Sequence, residues 1–133
     1  MKNVASPVTI WLKDRGNTVK DITVSRLSAY GVYRAAASVE SWMNAPIEDV
    51  EFCDVSIQYT GAETADPKAQ PPPPQFDSRP LPAWGFYAKN VHGLNLRNVR
   101  LTCLRKDRRR PEIYQSSKNV KRKNLSIDRI KTS

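Results

Sequence analysis

One apolar pattern recurs along most of this chain, and it constrains the fold more than any other feature of the sequence. Each copy reads apolar, two other residues, apolar, any residue, apolar, two other residues, apolar. Three clear copies span 19–29, 47–57 and 91–101, and a looser fourth covers 120–132. The apolar-any-apolar step is the period of a β-strand, and the two-residue gaps reset its phase. Each copy therefore predicts a short strand, a corner and another short strand.

A second motif supplies one more strand for each repeat. Ala29–Tyr33 matches Ala83–Tyr87 almost position for position, and Pro111–Tyr114 is a weaker third copy. The match predicts that Val32, Phe86 and Ile113 are equivalent, and that Tyr33, Tyr87 and Tyr114 share a phase as an external ladder. The repeats recur after 28, 44 and 29 residues.

Stacking is the way for such repeats to bury their apolar side chains, because one repeat cannot do so alone. Repeats made only of strands predict an all-β fold, a parallel β-helix of four to five coils. A β-sandwich is the rival, but it would not explain whole motifs in one register. The fourth repeat is aligned after a two-residue insertion. The predicted columns are Ile22/Val50/Leu94/Leu125, Val24/Phe52/Leu96/Ile127 and Leu27/Val55/Val99/Ile130.

Residues 61–82 interrupt this pattern with a proline-rich stretch. Seven of the ten prolines lie there. Because proline cannot donate to a strand ladder, the stretch predicts a loop insertion packed over one face of the solenoid. A recognition segment for a proline-binding module is the alternative. The prediction is a single domain over 1–133, with the insertion at 61–82 and a basic C-terminal coil at 105–133.

Composition excludes several classes of site. The chain has 133 residues, two cysteines and one histidine. This rules out a disulfide-rich scaffold, a four-cysteine zinc site and any site that needs two histidines. We expect Cys53 and Cys103 to be free, partly buried thiols, with a disulfide as the alternative. We expect no metal and no cofactor. No apolar run approaches a membrane span and no signal peptide is recognisable, so we expect no membrane association.

The positive charge is concentrated at the end of the chain. The net charge is +9, and residues 105–133 hold 11 Lys and Arg against 3 Asp and Glu. Such asymmetry predicts a polyanionic partner. An acidic polysaccharide is one candidate, whereas a specific nucleic-acid partner is not expected, since interleaved aromatic residues and known DNA-binding motifs are lacking. The remaining alternatives are a solvated terminus or non-specific binding of polyanions, including nucleic acid.

The order and spacing of several segments resemble the C-terminal coils of bacterial polygalacturonase-like proteins, family 28 of the glycoside hydrolases. The segments are Ala29–Arg34, Pro46–Ile57, the proline-rich stretch, Leu81–Tyr87, Val91–Leu101 and Arg110–Tyr114 with Asn119-Val120. The resemblance implies a right-handed parallel β-helix and metal-free, inverting hydrolysis of pectic polysaccharides, typically in the periplasm or outside the cell. It does not fix where this chain resides.

The carboxylates that such hydrolysis needs are not recognisable in this chain. The family's Asn-Thr-Asp, Asp-Asp and Gly-His-Gly motifs do not occur. Arg129-Ile130-Lys131 matches a fourth motif, but Ile130 is assigned to the core column. We therefore predict no catalytic residues and a polygalacturonase-like scaffold that binds acidic glycans weakly, or a self-associating structural protein. The predicted glycan or polyanion contacts are Arg97, Arg100, Arg108, Arg109, Arg110 and Tyr87.

Three other features are assigned to the scaffold. His92 opens a strand beside Gly93 and is read as a surface or turn residue. The carboxylates of Asp49, Glu51 and Asp54 are read as a solvated face, with acid/base chemistry as the alternative. Open solenoid ends expose strand edges, so self-association through ends or faces is also expected.

Overall fold

The structure is a computed structural model of the chain, and it describes residues 2, 4, 6–12, 18–61, 71 and 79–129. Within these residues every regular element is a β-strand, as the sequence predicts. The strands are β1 (Thr9–Leu12), β2 (Lys20–Val32), β3 (Ala37–Ser41), β4 (Ile47–Tyr59), β5 (Ala83–Lys89), β6 (Val91–Cys103), β7 (Arg110–Gln115) and β8 (Lys118–Arg129).

The strands form two parallel sheets that the chain visits alternately. Sheet A has the order β1-β3-β5-β7 and contains the short strands, and sheet B has the order β2-β4-β6-β8 and contains the long ones. We call each short strand with the long strand after it a unit, so that β1 and β2 form unit 1 and β7 and β8 form unit 4. Every pairing joins equivalent strands of neighbouring units in parallel. The predicted all-β architecture with parallel strands is confirmed.

Each long strand of sheet B bends twice, at residues whose φ angles are positive. This explains the two-residue gaps in the repeat, because a left-handed residue turns the strand and the next apolar side chain faces inward again. The bends stack from unit to unit. The first bends are Asp21, Asp49, Gly93 and Asn119, and the second are Arg26, Asp54, Asn98 and Asn124, with φ from 54° to 84°.

The second bend is held by hydrogen bonds between neighbouring units. The Asn98 side-chain amide donates to an Asp54 carboxylate oxygen at 3.1 Å. The Asn124 amide donates in turn to the Asn98 side-chain oxygen at 2.8 Å. Asp and Asn suit both tasks, since they tolerate the left-handed conformation and have short polar side chains.

The main core lies between the two sheets. Sheet B contributes inward columns such as Val50 with Leu94 and Phe52 with Leu96. Sheet A contributes Phe86, whose ring meets that of Phe52 edge-on at 5.1 Å. The predicted columns through units 1 to 3 are therefore confirmed.

A second, smaller cluster lies on the outer side of sheet A. It consists of Ala35, Ala36, Leu81, Ala83 and Tyr87. Leu81 lies near the end of the proline-rich stretch, most of which lies outside the described residues. Just before it, Arg79 forms an ion pair with Glu40 of β3, whose side chain is fully buried. The described end of the insertion thus packs on sheet A.

The predicted alignment of unit 4 is wrong. Leu94 pairs with Val120 and Val99 pairs with Leu125, with no insertion, so β8 follows β6 by 26 residues. The predicted alignment chose the more apolar residues, but the left-handed bends at Asn119 and Asn124 fix the register. As a result, Arg122 takes the inward column of Leu96. Ile130, and with it most of the Arg129–Lys131 motif, lies outside the described residues.

The predicted equivalence of Ala29–Tyr33 and Ala83–Tyr87 is also wrong. Ala29 continues the long strand β2 and pairs with Ile57 in sheet B. The partner of β5 is β3, which the sequence pattern did not reveal. All five residues of β3 are buried, so the strand lacks the alternation of buried and exposed positions that identifies a half-buried strand.

The three tyrosines do not form a ladder either, because the alignment of β5 and β7 shifts along their length. Ala83 pairs with Arg110, but an irregularity follows and Phe86 then pairs with Glu112. Tyr114 therefore pairs with Ala88, not with Tyr87. Phe86 and Ile113 are therefore not equivalent, because the register differs from the predicted one by one residue.

We expect Gly85→Ala to destabilise the protein by about 1–3 kcal/mol, as overpacking does. A Cβ at this position would lie 2.6 Å from the Pro111 backbone oxygen and 3.0 Å from a Leu101 methyl group. Either β7 or β5 would have to move. The Gly85 oxygen in β5 already accepts a hydrogen bond from the Tyr59 hydroxyl at 2.6 Å. Urea denaturation measures the effect, with the outward-facing Ser56→Ala as the control. Equal stability of both variants would contradict the tight approach.

Candidate polyanion-binding surface

The structure distributes the predicted cations around units 3 and 4. Arg97 and Arg100 lie on β6, on either side of the second bend at Asn98. Arg108 lies in the connection after β6, and Arg110 begins β7 in sheet A. All four arginines are exposed. They are therefore available to a ligand but occupy two sheets and one connection.

Arg109 does not belong to the predicted surface, because its side chain is buried. Its guanidinium forms a two-pronged contact with the Asp107 carboxylate, at 2.9 Å through Nε and 2.6 Å through Nη2. A third hydrogen bond runs from Nη1 to the Leu81 backbone oxygen at 3.1 Å. Arg109 thus ties the β6–β7 connection to the end of the insertion. The sequence shows three adjacent arginines, and only the fold distinguishes the buried one.

Tyr87 is not available to a sugar ring either, because only 1% of the residue is exposed. It faces outward from sheet A but lies in the second apolar cluster with Leu81. Its hydroxyl donates to the Gln115 side-chain oxygen at 2.9 Å. The residue therefore serves packing beneath the end of the insertion.

The structure instead brings together cations on the outer side of sheet B. Arg97 pairs with Lys123, and Asn95 beside it pairs with Lys121. We call Arg97, Arg100, Lys121 and Lys123 the basic face. Neighbouring strands in a sheet lie about 4.8 Å apart, so the positive charges of Arg97 and Lys123 lie side by side on adjacent strands.

The basic face is only partly neutralised. Arg97 is 3.6 Å from Glu51, and Arg100 is 3.9 Å from Asp128, both across largely exposed surface. Such exposed pairs are weak and are screened by salt. Within the described residues no ion pair reaches Lys121 or Lys123. The two lysines were visible as charges in the sequence, but their place beside Arg97 depends on the register of unit 4.

An open groove of about 720 Å³ borders the basic face. It follows the first bends across all four units, and its polar residues change along its length. Asp21, Asp49 and Glu51 line units 1 and 2, whereas Asn95, Asn119 and Lys121 line units 3 and 4. The groove is therefore acidic at one end and basic at the other.

The acidic residues of unit 2 have structural partners. Glu51 accepts a hydrogen bond from the Asn95 amide at 3.1 Å, besides its contact with Arg97. Asp54 accepts the hydrogen bond from Asn98 in the second bend. Asp49 forms the first bend and lines the groove. Glu51 and Asp54 thus act in the stacking of units 2 and 3.

His92 and the two cysteines lie apart from one another. His92 pairs with Glu48 and Lys118 at the start of sheet B strands. Cys53 and Cys103 are free, as expected for thiols in different columns, but both are buried rather than partly buried. Burial raises the pKa of the Cys103 thiol, which donates to the Arg105 backbone oxygen at 3.1 Å. Among the described residues no group of three His, Cys, Asp or Glu could hold a metal ion.

Comparisons with known proteins give no relative for this chain: no family model, no curated protein and no solved structure matches it. The part of the chain that the structure describes also has no helix long and apolar enough to cross a membrane.

We expect the free energy of unfolding to decrease above pH 10 because Tyr87 has a raised pKa in the folded state. Burial, together with the nearby Glu40 carboxylate, raises the pKa of Tyr87 to about 12, whereas a tyrosine in the unfolded chain has a pKa of about 10. The stabilisation that Tyr87 contributes is complete below pH 10. It is lost as the pH rises towards 12, because the unfolded state releases the tyrosine proton first.

Urea denaturation at pH 8 and pH 11 tests this expectation. Tyr87→Phe should lose about 1 kcal/mol less stability than the wild type between the two pH values. Tyr33→Phe, at a residue that is 57% exposed, is the control. The same pH dependence in the wild type and Tyr87→Phe would show that Tyr87 does not stay protonated in the fold.

Proposed function

We propose that this chain is a polygalacturonase-like β-helix segment that binds an acidic polysaccharide without hydrolysing it. In this proposal the four units form a right-handed parallel β-helix. Two features support that architecture: the chain alternates between two parallel sheets, and equivalent strands of successive units pair. Crossovers between parallel strands are almost always right-handed, which gives the proposed hand.

The observation that carries the proposed function is the basic face. Arg97 and Lys123 lie side by side on successive strands, Lys121 lies one column away, and Arg100 lies beyond the second bend. Each sugar of a pectic acid chain has a carboxylate, so an extended chain could meet several of these cations in succession. The contacts would be electrostatic and exposed, so affinity should be low and should fall as salt rises.

Among the described residues of units 3 and 4, the lack of an available aromatic side chain favours a glycan over a nucleic acid. Binding of single-stranded nucleic acid generally uses aromatic side chains on which bases stack. Tyr114 is the aromatic residue of units 3 and 4 closest in sequence to the cations of β8, but its hydroxyl is held by Glu112 at 2.8 Å and its ring packs near Phe86. Duplex DNA should therefore bind only as a generic polyanion.

The proposed lack of hydrolysis is supported by the composition of the chain. Inverting hydrolysis needs an acid and a base on the two sides of the scissile bond. The motifs that supply them in polygalacturonase-like proteins do not occur in the sequence. Of the carboxylates on this side of sheet B, Glu51 and Asp54 accept hydrogen bonds from Asn95 and Asn98. Asp128 contacts Arg100.

Self-association is the second candidate, and one observation favours it. In unit 1 the inward-facing residues Ile22, Val24 and Leu27 are only partly buried. A second chain could cover them. Sedimentation at micromolar concentration tests this candidate, since a single monomeric species would argue against it.

We expect Lys123→Glu to weaken binding of polygalacturonate about fivefold at low salt, because it removes the cation beside Arg97 and adds a repulsive charge. The matched control is Lys20→Glu, which makes the same change on an exposed residue of unit 1 and should alter affinity less than twofold. Fluorescence anisotropy with labelled polygalacturonate gives both affinities. Equal effects of the two substitutions would refute the basic face as the binding surface.

We also expect no release of new reducing ends when the protein is incubated with polygalacturonate. The control is the same assay with heat-denatured protein. Sustained turnover by the native protein above that control would show that a catalytic pair is present after all.

A further inference from the structure

Within the described residues, the last member of one inner column of sheet B is charged. In units 1 to 3 this column holds Val24, Phe52 and Leu96, and in unit 4 it holds Arg122. The Arg122 side chain is 51% exposed. The apolar interior is therefore covered in unit 4 by a guanidinium rather than continued by another aliphatic side chain.

Arg122 reaches across the interior to sheet A. Its Nη1 contacts Glu112 of β7 at 2.5 Å, and its guanidinium lies 5.6 Å from the centre of the Tyr114 ring. Tyr114 donates its hydroxyl to the other Glu112 oxygen at 2.8 Å, and its ring lies 6.1 Å from that of Phe86. The three side chains form a polar layer that joins β7 and β8 over the core.

This polar layer disfavours a second copy of the chain at unit 4. Stacking unit 1 of another molecule on it would place apolar residues such as Val24 over Arg122 and Glu112. The two charges would lose water without gaining a new partner, which is strongly unfavourable. At Arg122 an occupant of this surface should therefore supply an acidic group, whereas Val120 and Leu125 in the flanking columns call for apolar ones.

The outer edge of β8 offers backbone groups as well. Within the described residues β8 is the last strand of sheet B and pairs only with β6. Alternate backbone N–H and C=O groups of a strand point to each side, so the outer side of β8 presents donors and acceptors to an added strand. Among the described residues, no strand pairs with this outer edge along the 12 residues of β8.

Charge selects the kind of strand that could be added. Lys121 and Lys123 face outward and Arg122 faces inward between them, so a neighbouring strand would meet a cation from both faces of the sheet. Lys118 and Arg129 add positive charge towards the ends of β8, and Asp128 is its one carboxylate. The edge is thus complementary to consecutive acidic side chains on an extended backbone.

We propose that the outer edge of β8 binds an extended acidic peptide by strand addition. The peptide's backbone pairs with β8, an apolar side chain covers Val120, and three successive carboxylates face Lys121, Arg122 and Lys123. This inference does not rest on the proposed glycan function, because it requires the backbone edge and the inward-facing Arg122, which a polysaccharide on the basic face does not use.

The first experiment separates strand addition from simple charge attraction. Fluorescence anisotropy measures binding of the labelled peptide Val-Glu-Glu-Glu-Val and of two N-methylated forms, one methylated at the second and fourth residues and one at the third. All three peptides have the same charge. Strand addition predicts that one methylated form binds at least about tenfold more weakly, while the other binds as the parent does. Similar affinities for all three peptides would overturn the proposal.

The second experiment tests the inward carboxylate. Arg122→Gln should weaken binding of Val-Glu-Glu-Glu-Val about fivefold but change binding of Val-Glu-Val-Glu-Val less than twofold, because only the former carries the central acid. Polygalacturonate affinity should change less than twofold, which separates this site from the proposed glycan surface. Thermal unfolding of the variant verifies that it folds. Equal losses for both peptides would refute the assignment of Arg122.

Discussion

The structure depends on the stacking of two left-handed bends in every long strand of sheet B. These bends divide a strand of 12 or 13 residues into short segments, and they do so at the same places in four successive units. Because the bends coincide, the inward side chains coincide as well, and the core becomes a set of continuous columns. The hydrogen-bonded side chains of Asp54, Asn98 and Asn124 add polar contacts between units at the second bend.

Buried ion pairs fasten the irregular connections to this regular frame. Glu40 is fully buried on the outer side of sheet A, where it accepts hydrogen bonds from Arg79 and from the indole of Trp42 at 3.2 Å. Asp107 and Arg109 perform a similar task for the β6–β7 connection and for Leu81. Removing one partner would leave a buried charge without compensation, so each pair fixes the path of its connection.

The same stacking gives the surface its changing charge. Each outward column holds one residue from each unit. Where equivalent positions in successive units hold residues of different charge, the surface charge changes from one unit to the next. The column of Thr23, Glu51, Asn95 and Lys121 changes from neutral to acidic, back to neutral and then to basic over four strands. The proposed glycan surface and the proposed peptide edge both lie at the basic end, but on different groups. One uses outward side chains, and the other uses the backbone of β8 with Arg122.

The sequence by itself determined the repeating unit, the strand-corner-strand pattern and the inward columns of units 1 to 3, because alternation and phase resets are local properties. It also indicated free cysteines. Only the tertiary structure decided the register of unit 4, where the bends at Asn119 and Asn124 place Arg122 in the core column. It alone revealed β3 and removed Tyr87 and Arg109 from the surface. These outcomes depend on which distant segments cover a residue, such as Leu81 over Tyr87, and a local pattern of residues contains no record of such contacts.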